Sequence, residues 1–366
     1  MQRRFRVGVI GFAHMHVNDL VERLAATGRC DFVGVADTVP ATPTLTEVEG
    51  SRRANLARAL TAPGGPRVHA DWRAMLDGEK LDILIFCPEI SRHAEVAEAA
   101  AARGIHLLTE KPLAGTLADA DRMAAAAARA GVALVTNWPI TWRPAVRRVK
   151  AIVASGEIGD VVQFRWRNMA SLGPLAHGSL HPGATTIGLV SEAEKASEWW
   201  HQKAAGGGAM LDYCCYGACL AAWIVGAPSE VRAMAANLMS PGDAEDNATL
   251  LLRFPRAVGT IEASWTSFHN GLPNGPVVMG THGTIVLDGA DVLVFKERGS
   301  ATPTRIEQGD PLPAGRATVG EELLHHIETG DPLHPTLALP LNRMAVAILD
   351  AGRRAADSGM AQAVVS

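Results

Sequence analysis

The stretch Val7-Gly8-Val9-Ile10-Gly11-Phe12-Ala13-His14-Met15-His16 decides the expected fold. The apolar run before Gly11 predicts a buried strand, the glycine predicts a tight turn, and residues 17–26 predict an amphipathic helix. A strand, a glycine turn and a helix in this order open the parallel sheets that bind dinucleotides. The turn residues expected to contact such a cofactor are Gly11, Phe12, Ala13, His14 and His16.

The glycine pattern of this turn is incomplete. Dinucleotide-binding turns usually read G-x-G-x-x-G/A, whereas this turn keeps only Gly11 and has Ala13 and His16 at the other two positions. Asp37 ends the second predicted strand, where an acid accepts hydrogen bonds from a ribose hydroxyl and repels a 2′-phosphate. No Arg or Lys directly follows Asp37, so NAD is favoured over NADP. The alternatives are a solvent-facing acid at Asp37 and helix-terminal histidines without a ligand.

The chain divides into two regions of different pattern. Residues 1–137 alternate predicted strands with predicted helices, which is typical of a doubly wound parallel sheet. Later residues form successive β-rich runs with turn signals between them, followed by a final helix over 339–356. The predicted fold class is α/β: a dinucleotide-binding Rossmann domain over 1–137, then an α+β domain with a large, mostly antiparallel open sheet over 138–366. The second domain is expected to bind the substrate, and its final helix to pack back on the first.

Composition excludes several classes of protein. The 366 residues include 34 Lys and Arg against 38 Asp and Glu, for a formal net charge of −4, so no basic surface for nucleic acid or an anionic membrane is expected. No apolar run approaches the roughly 18 residues that span a bilayer. The five cysteines are scattered and odd in number, which favours free thiols in a reducing cytoplasm. Cys214, Cys215 and Cys219 lack the spacing of a zinc site, and no metal is expected.

Lys111 is the first candidate catalytic residue. The segment Thr109-Glu110-Lys111-Pro112 directly follows a predicted buried strand. Because ligands of doubly wound sheets bind beyond the carboxyl ends of the strands, Lys111 is expected to face the crevice. An ammonium group there stabilises a developing alkoxide and lowers the pKa of a neighbouring group. The alternative is a surface lysine in a turn.

Asp212 and Tyr216 form the second candidate site. They follow the glycine run Gly206-Gly207-Gly208, which allows close backbone approach, and their spacing places them on one helix face. A carboxylate and a phenol side by side can hold or pass a proton. The phenol has an ordinary pKa of about 10 and needs a cation such as Lys111 to act as a base near neutral pH. The alternative is an acid favoured by the helix dipole beside a half-buried tyrosine.

These segments together resemble the Gfo/Idh/MocA family (glucose–fructose oxidoreductase, inositol dehydrogenase and rhizopine catabolism) over nearly the whole chain. The motifs are Cys87-Pro88-Glu89-Ile90-Ser91-Arg92-His93, Glu110-Lys111-Pro112, Asn137 with Arg143-Pro144-Ala145, Gly156-Glu157-Ile158-Gly159, Gly206-Gly207-Gly208 with Asp212, Asp246-Asn247-Ala248, and Gly280-Thr281-His282-Gly283. The resemblance implies NAD(P)-dependent oxidation of a sugar or cyclitol hydroxyl, or the reverse reaction. It also implies a homodimer or homotetramer formed through the C-terminal sheet.

The resemblance assigns roles to further residues. It implies a catalytic Lys111, helped by Asp212, and a cis bond between Lys111 and Pro112. Many members carry D-x-G-x-H on the helix, whereas this chain has Cys214 for the glycine and Tyr216 for the histidine, so Tyr216 is the implied general base. The additional residues implied to bind the cofactor are Cys87, Pro88, His93, Glu110, Lys111 and Asn137.

Tryptophans are candidates for the substrate pocket. The chain has eight Trp against two Tyr, and flat apolar rings suit the mixed faces of a sugar. Trp138 and Trp166 are the expected substrate contacts, beside Lys111, Asp212 and Tyr216, although packing at a domain junction explains the tryptophans equally well. Residues 171–207 are rich in Gly, Ser, His and Pro and are predicted to form a long excursion. In or beside it lie His177, His181 and His201, which are candidates for binding residues or for ordinary loop residues.

The leading hypothesis is a cytoplasmic NAD-dependent dehydrogenase acting on a small sugar or polyol. Two other functions stay open at this point. One is a glycoside-cleaving or epimerising enzyme that uses tightly bound NAD transiently, and the other is a non-catalytic dinucleotide-binding sensor. Net NADH formation separates the first hypothesis from both alternatives.

Overall fold

A parallel sheet forms the N-terminal half of the protein. The computed structural model describes residues 3–38, 50–169, 174, 191–267 and 271–365. The strands of the first sheet are β1 (Phe5–Phe12), β2 (Cys30–Ala36), β3 (Arg67–His69), β4 (Ile83–Cys87), β5 (His106–Glu110) and β6 (Leu134–Asn137). They pair in parallel in the order β3-β2-β1-β4-β5-β6. The predicted Rossmann arrangement is thereby confirmed.

Helices connect these strands, and capping side chains mark the beginning of two of them. They are α1 (Val17–Ala25), α2 (Arg52–Ala59), α3 (Trp72–Gly78), α4 (His93–Ala101) and α5 (Leu117–Ala130). Ser51 accepts a hydrogen bond from the Ala54 amide and so caps α2, and Asp71 caps α3 through the Arg73 amide. Gly131 ends α5 in the left-handed conformation that glycine adopts without strain.

The crevice for a ligand lies where the strand order reverses. From β1 the chain builds outward through β2 and β3 on one side, and through β4 to β6 on the other. Gly11 lies at this point with φ of +81°, and a Cβ there would meet the Cα of Pro88 at 2.6 Å. Only glycine therefore allows the ends of β1 and β4 to approach this closely, which leaves bare backbone at the switch point of the sheet.

In the part of the chain that the structure describes, the second sheet is mixed and has nine strands. Its strands are β7 (Val161–Met169), β8 (Glu230–Ala236), β9 (Asn247–Arg253), β10 (Val258–Ser264), β11 (Val277–Gly280), β12 (Gly283–Asp288), β13 (Asp291–Phe295), β14 (Arg305–Glu307) and β15 (Gln362–Ala363). They pair in the order β14-β13-β12-β11-β7-β10-β9-β8-β15. Only β7 and β10 run parallel, so the predicted mostly antiparallel sheet is confirmed.

Helices cover one face of this sheet. The helices of the second half of the chain are α6 (Pro144–Ala154), α7 (Glu192–Ser197), α8 (Cys215–Ile224), α9 (Val319–Thr329) and α10 (Leu339–Ser358). Of these, α6, α8 and α10 pack against this sheet. Phe164, Leu250 and Ile261 pack beneath them in one buried cluster with Leu220 and Ile348. The opposite face exposes apolar side chains, among them those of Met234, Leu251 and Val258. Of the helices that the structure describes, none is long and apolar enough to cross a membrane.

The C-terminal segment returns to the first sheet. Val319, Leu323 and Leu324 of α9 share a buried cluster with Leu20 and Leu24 of α1. The alternating pattern that revealed the strands does not reveal α6 or α9, and neither helix is predicted from the sequence. α6 begins at Pro144, where a proline fits because the first helical amide needs no partner.

The helix predicted from Gly208 to Val225 is interrupted in the structure. A π-helical turn spans Met210–Cys214, and the regular helix α8 begins only at Cys215. The amides of Ala209 and Met210 bind the carbonyl and the side chain of Glu245, at 2.8 and 3.2 Å. Glu245 thereby caps the first two amides of this helix, which have no partners within it.

Candidate active site

Lys111 reaches across the molecule from the end of β5. Its Nζ donates to the backbone oxygen of Asp212 at 2.9 Å and to Oδ1 of the same residue at 2.8 Å. The side chain is only 3% exposed, so this is a buried ion pair between the first sheet and the π-helical turn. The Lys111-Pro112 peptide bond is cis, as the resemblance implied.

Tyr216 lies next to this ion pair. The Nζ of Lys111 is 4.8 Å from the centroid of the Tyr216 ring, so the ammonium group lies over the aromatic face. Trp138 meets the same ring edge-on at 5.6 Å, and Trp166 lies 6.1 Å from it. The structure thus brings together the three residues that the sequence proposed as catalytic.

Burial and charge shift the pKa values of these groups in a definite direction. Burial opposes the charge of Lys111, but the neighbouring Asp212 carboxylate outweighs it, and the pKa of Lys111 lies well above 10.5. Burial raises the pKa of Tyr216 above 10, and the charge of Lys111 only partly opposes this rise. The expectation that Lys111 makes this phenol a base near neutral pH is therefore not met, because burial outweighs the cation.

A cavity of about 300 Å³ opens beside these groups. Its size is at the lower end of the range of small-molecule sites, and its wall mixes aromatic with polar side chains, as such sites do. The residues on its wall that bear on chemistry are Lys111, Asp212, Tyr216, Trp166, Arg143 and Asn168. Neither Arg143 nor Asn168 is predicted from the sequence, because nothing in the pattern shows that β7 and the start of α6 meet here.

A hydrogen-bonded chain holds the backbone around Lys111. Glu110 Oε1 accepts from Asn137 Nδ2 at 2.6 Å, and Asn137 Oδ1 accepts from Trp142 Nε1 at 2.9 Å. Glu110 Oε2 lies 3.3 Å from His16 Nδ1. Burial opposes a charge on His16, but the bond to Glu110 outweighs it and raises the pKa of His16 above 6.5. His16 also lines the cavity.

The turn after β1 is held by β4. The amides of Ala13 and His14 donate to the carbonyl of Cys87 at 3.0 and 3.4 Å. The Phe12 side chain is fully buried in the core of the first sheet, so Phe12 presents only backbone to the crevice. Two amides that a three-glycine turn would direct at a phosphate are thus used inside the protein.

Two of the residues expected to contact ligands, His93 and Trp138, are buried and do not line the cavity. His93 is buried, its Nδ1 lies 3.0 Å from the carbonyl of Leu113, and burial lowers its pKa to about 4. Trp138 is fully buried, and its Nε1 donates to Asn342 Oδ1 at 2.7 Å. Neither lines the cavity. The geometry makes His93 a neutral support for the segment after Pro112, and Trp138 a support for Tyr216.

A tryptophan pair packs on the β1 turn. Trp199 Nε1 donates to the carbonyl of Ala13 at 2.9 Å, and the Trp200 ring meets that of His14 edge-on at 4.8 Å. Segments from the two sheets therefore both contribute to the cavity. His201 is buried against Trp265, while His177 and His181 lie outside the described residues.

The glycine run before Asp212 is packed against these tryptophans. A Cβ on Gly207 would lie 2.6 Å from the backbone carbon of Trp200. We expect Gly207→Ala to lower the free energy of unfolding by about 2 kcal/mol, because neither backbone segment can move freely. Gly78→Ala is the matched control, since no atom lies within 4 Å of its Cβ position. Urea denaturation of both variants measures the difference, and equal stability of the two contradicts this packing.

Side chains that could bind a metal ion are not clustered in the part of the chain that the structure describes. It contains no cluster of three or more His, Cys, Asp or Glu placed to hold an ion. Cys214, Cys215 and Cys219 are buried and unpaired.

The crevice at the switch point has an acid, Asp37, at the end of β2. It lies next to the buried cluster of Lys111, Asp212 and Tyr216. This combination defines a dinucleotide-dependent oxidoreductase. The model of the oxidoreductase family with an NAD-binding Rossmann fold matches residues 5–138, and that of the GFO/IDH/MocA C-terminal domain matches residues 146–286. The chain belongs to the Gfo/Idh/MocA family.

Individual relatives agree with this assignment. A D-apiose dehydrogenase of Paraburkholderia graminis is 38% identical over 104 residues, which are 28% of each chain. A levoglucosan dehydrogenase of Pseudarthrobacter phenanthrenivorans is 24% identical over 311 residues, covering 78% of this chain and 74% of that protein. Among solved structures, the WlbA dehydrogenase of Bordetella pertussis, in complex with NADH and UDP-GlcNAcA, has a TM-score of 0.76 at 20% identity, with both chains covered completely.

Proposed function

We propose that this protein is an NAD-dependent dehydrogenase that interconverts a secondary hydroxyl and a ketone on a sugar, a sugar derivative or a cyclitol. The observation that supports this most directly is the convergence of Lys111, Asp212 and Tyr216 on one cavity at the edge of the Rossmann sheet. The sugar dehydrogenases among its relatives support the substrate class.

The first sheet fits the cofactor at several points. Gly11 leaves bare backbone at the switch point, and Asp37 lies at the end of β2 to meet the adenosine ribose. Glu110, Lys111 and Asn137 end β5 and β6, on the side of the crevice next to the cavity. These residues would hold NAD, which would supply hydride acceptance from the substrate carbon, and NADH would supply the reverse.

The cavity residues divide the remaining work. Lys111 donates a hydrogen bond to the reacting oxygen and stabilises negative charge on it. Asp212 holds the ammonium group in place, and Tyr216 exchanges the hydroxyl proton through its phenolic oxygen. Trp166 and Arg143 line the same cavity and contact other parts of the substrate.

The pH dependence of the two directions follows from the raised pKa of Tyr216. The phenol stays neutral at neutral pH, so it can donate a proton during reduction without prior ionisation. Oxidation needs the phenolate, whose fraction rises as pH approaches the raised pKa from below. We expect oxidation to accelerate about tenfold per pH unit in the alkaline range, and reduction to stay nearly constant. Steady-state rates of both directions measure this, and an oxidation profile that is flat up to pH 10 contradicts it.

Domain division, oligomeric state and cellular location are proposed for the whole protein. We propose a division into domains at residues 1–137 and 138–366. The exposed apolar face of the second sheet supports a homodimer or homotetramer formed through it. The unpaired cysteines support a cytoplasmic location.

One experiment tests the central proposal. Purified protein with NAD is offered a panel of sugars, sugar acids and cyclitols, and NADH formation is followed by absorbance. Net NADH from at least one member, in stoichiometric amount, is the expected result. Substrate consumption without net NADH favours the epimerising or glycoside-cleaving alternative, and NAD binding without any turnover favours the sensor.

A further inference from the structure

A buried group of three charged residues lies at the end of β2. Arg52, the first residue of α2, donates through Nη1 to Asp37 Oδ1 at 2.7 Å and through Nη2 to Glu89 Oε1. Glu89 follows β4, is fully buried, and lies 3.5 Å from the Thr38 hydroxyl. One guanidinium therefore joins two carboxylates, and the group has a net charge of −1.

Asp37 keeps one oxygen for a ligand. Its Oδ1 accepts from the amides of Phe12 and Thr38, at 3.3 and 2.8 Å, in addition to Arg52. Among the described residues, none donates to Oδ2, and the side chain is 24% exposed. Oδ2 is therefore available to accept a ribose hydroxyl, while Arg52 is bound to Oδ1.

We infer that Glu89 determines the coenzyme preference of this protein, and that Arg52 is a latent ligand for a 2′-phosphate. An arginine near the ribose is the usual means of accommodating that phosphate, and Arg52 is close enough to contact Asp37 directly. Here both Nη atoms of Arg52 donate to carboxylates, so its guanidinium exerts no net attraction on a phosphate. This inference rests on the NAD site proposed above.

The charges explain why Glu89 matters as well as Asp37. With both carboxylates, an incoming 2′-phosphate meets a net negative group and is rejected by like-charge repulsion. Without the Glu89 charge, the group becomes neutral and one arm of Arg52 is released. Because Glu89 is fully buried and does not face the ribose, its removal leaves the contact of Asp37 Oδ2 with a ribose hydroxyl in place.

The test compares two fragments of the cofactor in Glu89→Gln. Calorimetric titration at one ionic strength measures the binding of ADP-ribose and of 2′-phospho-ADP-ribose. For wild type we expect ADP-ribose to bind about 100-fold more tightly than 2′-phospho-ADP-ribose, a difference of about 2.7 kcal/mol. In Glu89→Gln we expect 2′-phospho-ADP-ribose to bind at least about tenfold more tightly than in wild type, and ADP-ribose to change less than about threefold.

Two further variants separate this role from a structural one. Glu79→Gln removes another buried carboxylate, held by Arg6 of β1 and Arg67 of β3, and is expected to leave the preference unchanged. In the double variant Arg52→Gln/Glu89→Gln the latent cation is absent, so the gain for 2′-phospho-ADP-ribose is expected to disappear.

Several outcomes overturn the inference. They are equal binding of both fragments by wild type, an unchanged preference in Glu89→Gln, and a double variant that keeps the full gain. Equal binding by wild type overturns the inference even if a variant does not fold. Neither fragment contains nicotinamide, so these results do not depend on catalysis. Wild type that binds neither fragment contradicts the cofactor site itself.

Discussion

Replacing Lys111 with alanine is expected to lower kcat by about 10³- to 10⁴-fold, in both oxidation and reduction. The substitution removes the ammonium group that Asp212 holds between the end of β5 and the π-helical turn. Negative charge on the reacting oxygen then has no ammonium group to stabilise it. Steady-state kinetics with the substrate identified by the panel gives kcat, and fluorescence titration gives the NAD affinity.

The NAD affinity of this variant distinguishes a loss of catalysis from a loss of folding. Affinity for NAD is expected to stay within about threefold of wild type, because most of the cofactor contacts lie on other residues. Lys296→Ala is the control, since this exposed lysine donates to the carbonyl of Glu157, in the turn between α6 and β7. A Lys111→Ala enzyme that keeps a tenth or more of its activity rejects the proposed mechanism.

The second large effect is expected for Tyr216→Phe. Loss of the phenolic oxygen removes the proton donor while keeping the ring that packs between Lys111, Trp138 and Trp166. We expect kcat to fall by about 10²- to 10³-fold, and the rise of the oxidation rate with pH to disappear. The apparent KM is expected to change little, because the ring and its contacts are kept. The rate profile over pH 6 to 10 measures both consequences.

Tyr213→Phe is the matched control, because Tyr213 and Tyr216 are the two tyrosines of the chain. Tyr213 also lines the cavity, but its ring packs edge-on against Trp265 at 6.4 Å rather than against Lys111. We expect its loss to change kcat by less than about fivefold, since no proton transfer depends on it. A larger loss of kcat in Tyr213→Phe than in Tyr216→Phe would show that Tyr213, and not Tyr216, has the acid–base role.

The N-terminal half was predictable because its signals are local. Alternation of apolar runs with amphipathic segments placed β1 to β6, with β3 as the exception, and capping side chains placed the starts of α2 and α3. β3 has three residues and a largely exposed pattern, so it has no buried run to detect. In the second half the β-rich runs were equally visible, whereas the return of α9 to α1 was not.

The chemical identity of the site was predictable, but its geometry was not. Motifs marked Lys111, Asp212, Tyr216 and Asp37, because the order of strand, turn and helix constrains which residues follow a strand end. Arg52 lies in no motif, and Arg143 lies in one that assigns it no role in the site. They reach the crevice and the cavity through the packing of α2 and α6. Trp138 follows β6 as closely as Lys111 follows β5, yet it points into the core toward Asn342.

Residue order along this chain was sufficient to establish a dinucleotide-binding sheet followed by an open one, because periodicity and turn chemistry depend on neighbours a few positions apart. The contact between Lys111 and Asp212 joins residues 101 positions apart. The pKa of Tyr216 likewise depends on burial beneath side chains from several elements. Distances, burial and net charge at a site depend on which segments pack together in space, and no local pattern contains that information.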